Sequence, residues 1–195
     1  MLKKLADIAD IVAGQIMTRV TSNEENQGGI HVKVLQPRAI ISGAIDHNYL
    51  GTATITKELS TDKYTSEGDI IIKLSTPYDA AYISNKEAGL VIPSFCVAIR
   101  IKYNYVDPYY LLAVLNSQYT NEVLKSKIVG SARPMIKISD LKALPIPLLD
   151  EHSMAAIGST YVLSNQKKAL LQDMIKTEDD IMSSIILKSV KEALK

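Results

Sequence analysis

The segment Leu144-Pro145-Ile146-Pro147-Leu148, with the proline-free run from residue 151 to residue 195, decides how this chain is organised. Each proline fixes its own φ and restricts the residue before it, so 144–148 reads as a stiff extended joint. Beyond Asp150 there is no proline and only one glycine, Gly158. Leu163, Leu170, Met174, Ile181 and Ile185 recur at spacings of 7, 4, 7 and 4, with Leu171, Ile175, Met182 and Ile186 beside them at 4, 7 and 4. That is a broad apolar face at near-heptad spacing. A single helix over these residues would be about 65–70 Å long at about 1.5 Å per residue. We therefore read 150–195 as a spacer and dimerisation helix and 1–149 as a globular body. Two alternatives stay open: a helix folded back on its own body, and a capping box of Thr177 and Asp180 that restarts the helix after a break.

Upstream of the joint, strand-like and helix-like segments alternate, giving an α/β (α+β) body with a mixed sheet. Ile30–Leu35 alternates as a strand does, Asp69–Leu74 is β-branched and apolar, and Ala80–Ser84 and Leu90–Ile101 are further strands. Asp107 before Pro108 is a helix N-cap followed by proline at the first helical position. A second helix follows from about Ser117 to Ile128. At the start, Leu2, Leu5, Ile8, Ala9 and Val12 share one helical face, with Gly14 placed to end it. This spacing predicts an opening helix.

Composition bounds the function. The chain has 195 residues, 47% of them apolar, enough for a real core. Its net charge of +1 is not that of a globally basic nucleic-acid binder. Clustering can still provide local potential: Lys125, Lys127, Arg133, Lys137 and Lys142 face only Asp140 in that stretch. Ordinary solvated lysines are the alternative reading. Cys96 is the single cysteine, set in an apolar segment, so a buried inert thiol is expected and no disulfide. No apolar leader opens the chain and no run of 18 apolar residues occurs, so a cytoplasmic protein without a membrane segment is expected.

Signals of catalysis are weak. His31, His47 and His152 lie far apart without metal-ligand spacing, and no phosphate-cradling glycine loop is visible. Ser75-Thr76-Pro77-Tyr78 is similar to the tetrapeptide that holds the target amino group in amino-methyltransferases. Its second position is Thr rather than Pro, and the glycine-rich loop for a methyl donor is missing. A strand-end surface loop is the better account. No cofactor and no metal are expected.

Four segments in order resemble the specificity subunit of type I restriction–modification systems. They are Lys4-Leu5-Ala6-Asp7-Ile8-Ala9-Asp10-Ile11-Val12-Ala13-Gly14; Gly68-Asp69-Ile70-Ile71-Ile72-Lys73; Val106-Asp107-Pro108-Tyr109-Tyr110-Leu111-Leu112-Ala113-Val114-Leu115-Asn116-Ser117; and Gly130-Ser131-Ala132-Arg133-Pro134-Met135-Ile136, then Leu141 and Leu144-Pro145-Ile146-Pro147-Leu148. The family's usual Gln-x-x-Ile segment after the joint lacks its Gln here. A full specificity subunit resembles two such units, whereas this chain resembles one. A natural half-subunit, a single-domain relative and a fragment all fit.

The resemblance implies a non-catalytic target-recognition domain that binds double-stranded DNA, with helices packing as an antiparallel coiled coil. It also implies methyltransferase and restriction subunits as partners. For a single unit it implies a homodimer on a bipartite site. Residues 163, 170, 171, 174, 175, 181, 182 and 185 would form the dimer seam. By the resemblance and by loop chemistry, Ser131 and Arg133 are candidate DNA contacts, with Lys127 and Lys137 flanking. Lys73, Thr76 and Tyr78 are candidates at the strand end, and His47 and Asn48 in the first long loop. Arg forks suit guanine, Asn suits adenine, and lysines suit phosphates. The rival reading is a protein-interaction module that dimerises through its C-terminal helix.

Overall fold

The computed structural model describes residues 1–21, 29–127 and 135–194. In chain order these residues form β1 (Leu2–Lys4), α1 (Leu5–Ile8), β2 (Ala9–Ala13), β3 (Ile30–Val34), β4 (Ile40–Ile41), β5 (Ala44–Ile45) and β6 (Gly51–Ile55). There follow β7 (Ile70–Lys73), β8 (Ala80–Tyr82), β9 (Cys96–Ile101), α2 (Pro108–Leu115), α3 (Gln118–Ser126), α4 (Ile138–Lys142), β10 (Pro145–Pro147) and α5 (Glu151–Ala193). Short 3₁₀ turns intervene, notably Pro37–Ala39, His47–Tyr49 and Asn85–Glu87. The chain divides into two compact units, Met1–Ser159 and Thr160–Lys195.

The first unit is built on a four-stranded sheet in the order β2-β9-β7-β8. Its ladders are antiparallel, with β9 in the interior pairing β2 on one side and β7 on the other. Parallel pairing enters through isolated bridges, Gln15 with Pro93, Val34 with Val91 and Gly43 with Ala81, so the strand system is mixed, as expected. All four residues of β7 are buried. This is why Ile70-Ile71-Ile72 is apolar without alternation: both faces of a central strand meet protein. One core cluster gathers Leu35, Ala39, Ile40, Ile71, Ala81, Ile83, Leu90, Ile92, Cys96 and Ala98. Two further hairpin-like pairs, β3 with β6 and β4 with β5, extend the body.

The opening helix is corrected. Only Leu5–Ile8 is helical, a single turn in which the Asp7 carboxylate accepts from the Lys4 N–H at 3.1 Å. On either side the chain is extended: β1 pairs β10 and β2 pairs β9 from Ala9↔Ile101 to Ala13↔Val97. The physical reason is non-local. Ile11 and Val12 favour extended backbone, and β9 offers an unpaired edge whose hydrogen bonds override a weak helical period. The apolar spacing still reports burial, because Leu5, Ile8 and Ala9 are at most 1% exposed.

Local signals at α2 and α3 carry through. Asp107 Oδ1 accepts from the Tyr110 N–H at 2.7 Å, with Pro108 at the first helical position. Ser117 Oγ accepts from the Thr120 N–H at 3.3 Å and caps α3. The Pro-x-Pro joint is extended and also serves as the partner strand of β1, with Lys3 opposite Ile146.

The helix α5 runs unbroken from Glu151 to Ala193, about 65 Å at about 1.5 Å per residue. The alternative, a restart at Thr177, does not occur. Thr177 Oγ1 donates back to the Asp173 carbonyl at 2.8 Å, and Ser184 does the same to Asp180 at 2.8 Å. Leu163, Leu170, Leu171, Met174, Ile175, Ile181, Met182, Ile185 and Ile186 are between 47% and 65% exposed in the single chain. No helix among the described residues is long and apolar enough to cross a membrane.

Candidate nucleic-acid interface

Three surface regions hold the residues singled out by sequence, and the fold treats them differently. The first is the segment 37–51. Here the 3₁₀ turn Pro37–Ala39 leads into β4, β4 pairs β5, and the turn His47–Tyr49 leads into β6. The loop is closed at its root, where the Asp46 N–H donates to the Ala39 carbonyl at 2.8 Å. Asp46 Oδ1 then accepts from the Asn48 N–H at 2.9 Å and caps the second turn. Beneath it, Ala39 and Ile40 sit in the core cluster with Ile45 and Leu50 packed against them. A two-strand hairpin with a buried underside thus presents His47, Asn48 and Tyr49 outward.

His47 is the anchor of that turn. Its Nε2 lies 2.7 Å from Glu87 Oε1, with the imidazole half exposed and the carboxylate nearly buried. Burial works to raise the Glu87 carboxyl. Hydrogen bonds from Ser84, at 2.5 Å from its hydroxyl, and from His47 outweigh this and hold it below its ordinary value. Tyr49 carries the Arg38 guanidinium, whose central carbon is 5.4 Å from the ring centroid. Neither Arg38 nor Tyr49 was singled out by sequence reasoning. The two are joined only when the hairpin closes, and an arginine after Pro37 in a polar turn was the only local hint.

The second region is the end of β7. Lys73, expected as a DNA contact, lies inward: its Nζ pairs with Asp79 Oδ2 at 2.6 Å and its side chain is 10% exposed. Tyr78 is 2% exposed, and its hydroxyl has no partner among the described residues. A side chain so enclosed cannot reach a groove, so the expectation for Tyr78 is corrected, as is that for Lys73, whose charge is already paired. Burial at Tyr78 also separates this tetrapeptide from the base-holding loop of an amino-methyltransferase. Thr76 is exposed.

The third region follows α3. Lys127 is exposed at the C-terminal cap of α3 and Lys137 is exposed before α4. Ser131 and Arg133 lie outside the described residues. The second and third regions are brought together: Ser75 bridges Met135, and the Ile136 N–H donates to the Leu74 carbonyl at 2.9 Å. Thr76 and Lys137 therefore flank one short ladder.

Three other cations are occupied. Arg100 donates through Nε to Asp69 Oδ1 at 3.1 Å, and through one Nη to the Tyr64 carbonyl at 3.0 Å. Lys63 pairs with Asp62 and Lys102 with Asp10. Cys96 is fully buried, and burial pushes its thiol up to about 12, with Lys73 working weakly the other way. No group of three or more His, Cys, Asp or Glu side chains fit to hold a metal occurs among the described residues.

Comparison with known proteins gives the family context. Residues 1–172 match the model of the type I restriction modification DNA specificity domain. No curated protein matches the chain. Among solved structures, the HsdS subunit from Thermoanaerobacter tengcongensis is similar, with TM-score 0.65 and 17% identity over 87% of this chain and 43% of that one. A structure described for complex assembly and conformational transition of the type I R-M system is similar at TM-score 0.66 and 18% identity, over 92% and 46%. The S subunit from M. genitalium is similar at TM-score 0.57 and 14% identity, over 90% and 41%. This chain thus spans less than half the length of each, and at these identities the likeness is one of fold.

Proposed function

We propose a function on one premise: this chain belongs to the family of type I restriction modification DNA specificity domains. As such it serves DNA recognition and is not itself the enzyme of the system. Its finer role, in our reading, is sequence-specific binding of double-stranded DNA as a specificity subunit or half-subunit. In that role it directs methyltransferase and restriction subunits to a bipartite site. The observation that carries this reading is the family match across residues 1–172, which takes in the body and the first part of α5.

The body offers its outward-facing side chains to the duplex. His47 and Asn48 stand on a capped turn, and Thr76 and Lys137 flank the ladder at Ser75–Met135. Asn48 suits base-edge hydrogen bonding, while Lys127 and Lys137 suit phosphates. Ser131 and Arg133, between Lys127 and Lys137 in sequence, are further proposed contacts by their chemistry.

The helix supplies the second half-site. An apolar stripe from Leu163 to Ile186 exposed along a continuous helix has the character of an unfilled interface. Pairing with a second copy as an antiparallel coiled coil would cover it and relate two bodies by a two-fold axis. The DNA site would then be symmetric and interrupted, since site symmetry mirrors protein symmetry. Gel filtration with light scattering tests this. A dimer that becomes monomeric in Leu170→Glu/Ile181→Glu, with loss of one half of a two-part footprint, is expected. A wild-type monomer, or a dimer untouched by these changes, contradicts it.

A further inference from the structure

We infer that Arg38, seated on the Tyr49 ring, is a base-reading residue that specifies a guanine in the bound duplex. This rests on the DNA-recognition reading above and adds a residue and a base to it. The four arginines of the chain are used differently. Arg133 lies outside the described residues. Arg100 is held by Asp69 and by the backbone carbonyls of Asp62 and Tyr64. Arg19 is exposed at a short 3₁₀ turn. Arg38 is also exposed and, alone among the arginines of the described residues, lies over an aromatic ring. Among the described residues, none of the salt bridges involves Arg38.

A guanidinium carbon over an aromatic ring is held by cation–π attraction, which uses none of its N–H donors. That is the state wanted for reading guanine O6 and N7 through a bidentate fork. A free arginine must lose much rotamer freedom on binding; one already seated on a ring loses less. The ring in turn is held. Tyr49 ends a turn capped by Asp46, tied by His47 to Glu87, and closed at its root by the Asp46–Ala39 hydrogen bond. Glu87 is 8% exposed and is fixed again by Ser84. Tyr49 is thus a positioning residue, and Arg38 is the group that meets the base. Asn48, exposed between His47 and Tyr49, places an amide on the same turn.

The test uses the full chain and a pool of duplexes with a randomised centre, from which the bound fraction is selected and sequenced. Wild type is expected to enrich a motif containing an invariant guanine. In Arg38→Ala and in the charge-keeping Arg38→Lys, preference for that guanine should fall by roughly ten- to a hundredfold, with the other positions intact. Tyr49→Leu should relax the same position and Tyr49→Phe should restore it. An unchanged motif in both Arg38 variants overturns the inference. So does an equal loss at every position, the mark of a phosphate contact. If wild type enriches no motif, the DNA-recognition reading itself fails and takes this inference with it.

Discussion

Asn116 acts as a neighbouring strand for Ala80: its Oδ1 accepts from the Ala80 N–H at 2.8 Å and its Nδ2 donates to the Ala80 carbonyl at 3.0 Å. Ala80 lies on β8, the edge of the four-stranded sheet, and faces Ile72 of β7 on its other side. Edge strands leave backbone groups unpaired; the Ala80 carbonyl also accepts from the Gly43 N–H at 2.8 Å, so the amide at the end of α2 is the partner of the Ala80 N–H and a second donor to its carbonyl. Asn116→Ala strips both bonds from a buried residue and is expected to cost about 1–3 kcal/mol. Asn116→Asp keeps the acceptor but sets a carboxylate oxygen against the Ala80 carbonyl, so it should not rescue. Denaturant midpoints check this, and a loss within about 0.5 kcal/mol, the range of an ordinary surface change, would contradict it.

At Gly158, α5 lies close against the start of α2. A Cβ there would meet Asp107 Oδ1 at 2.5 Å and the Tyr110 nitrogen at 2.8 Å, the two atoms of the α2 cap. Glycine to alanine inside a helix ordinarily gains about 1 kcal/mol. Overpacking against backbone costs about 1–3 kcal/mol. Gly158→Ala should therefore destabilise the body, and thermal unfolding reads the sign. A rise in Tm would contradict this.

Glu87 makes stability depend on acid. Its carboxyl is held below the ordinary value of 4.5, so the folded state binds its proton less readily than the unfolded chain does. Its contribution is complete above about 4.5 and is lost as pH falls through the lower folded value. Comparing wild type with Glu87→Gln, the stability gap should close as pH falls below about 4.5. A gap that widens on acidification would reverse the sign and reject the role given to Ser84 and His47.

How much of this could be read in the sequence follows from how local each feature is. Asp107-Pro108 announced α2, and Ser117 stands at the start of α3, because a cap involves only neighbouring residues. The apolar stripe from Leu163 to Ile186 announced α5 for the same reason. Residues 9–13 carry a helical period but are extended, because their structure depends on β9, nearly ninety positions away. Lys73 looked free until the chain turned and brought Asp79 within 2.6 Å. Tyr78 looked like a surface tyrosine in a proline turn, yet the fold encloses it. Arg38 and Tyr49 carried no pattern at all; a hairpin had to close before they met.

The measurement that tests the central claim most directly is duplex affinity as a function of salt, for the full chain against random and selected sequences. Recognition of DNA by this surface predicts that affinity falls linearly on a log–log plot, with a clear preference for the selected duplex at every salt concentration. Lys127→Ala/Lys137→Ala should flatten that slope by about one unit per lysine for both duplexes alike. Affinity that is absent at the lowest salt, or equal for the two duplexes throughout, would contradict the account.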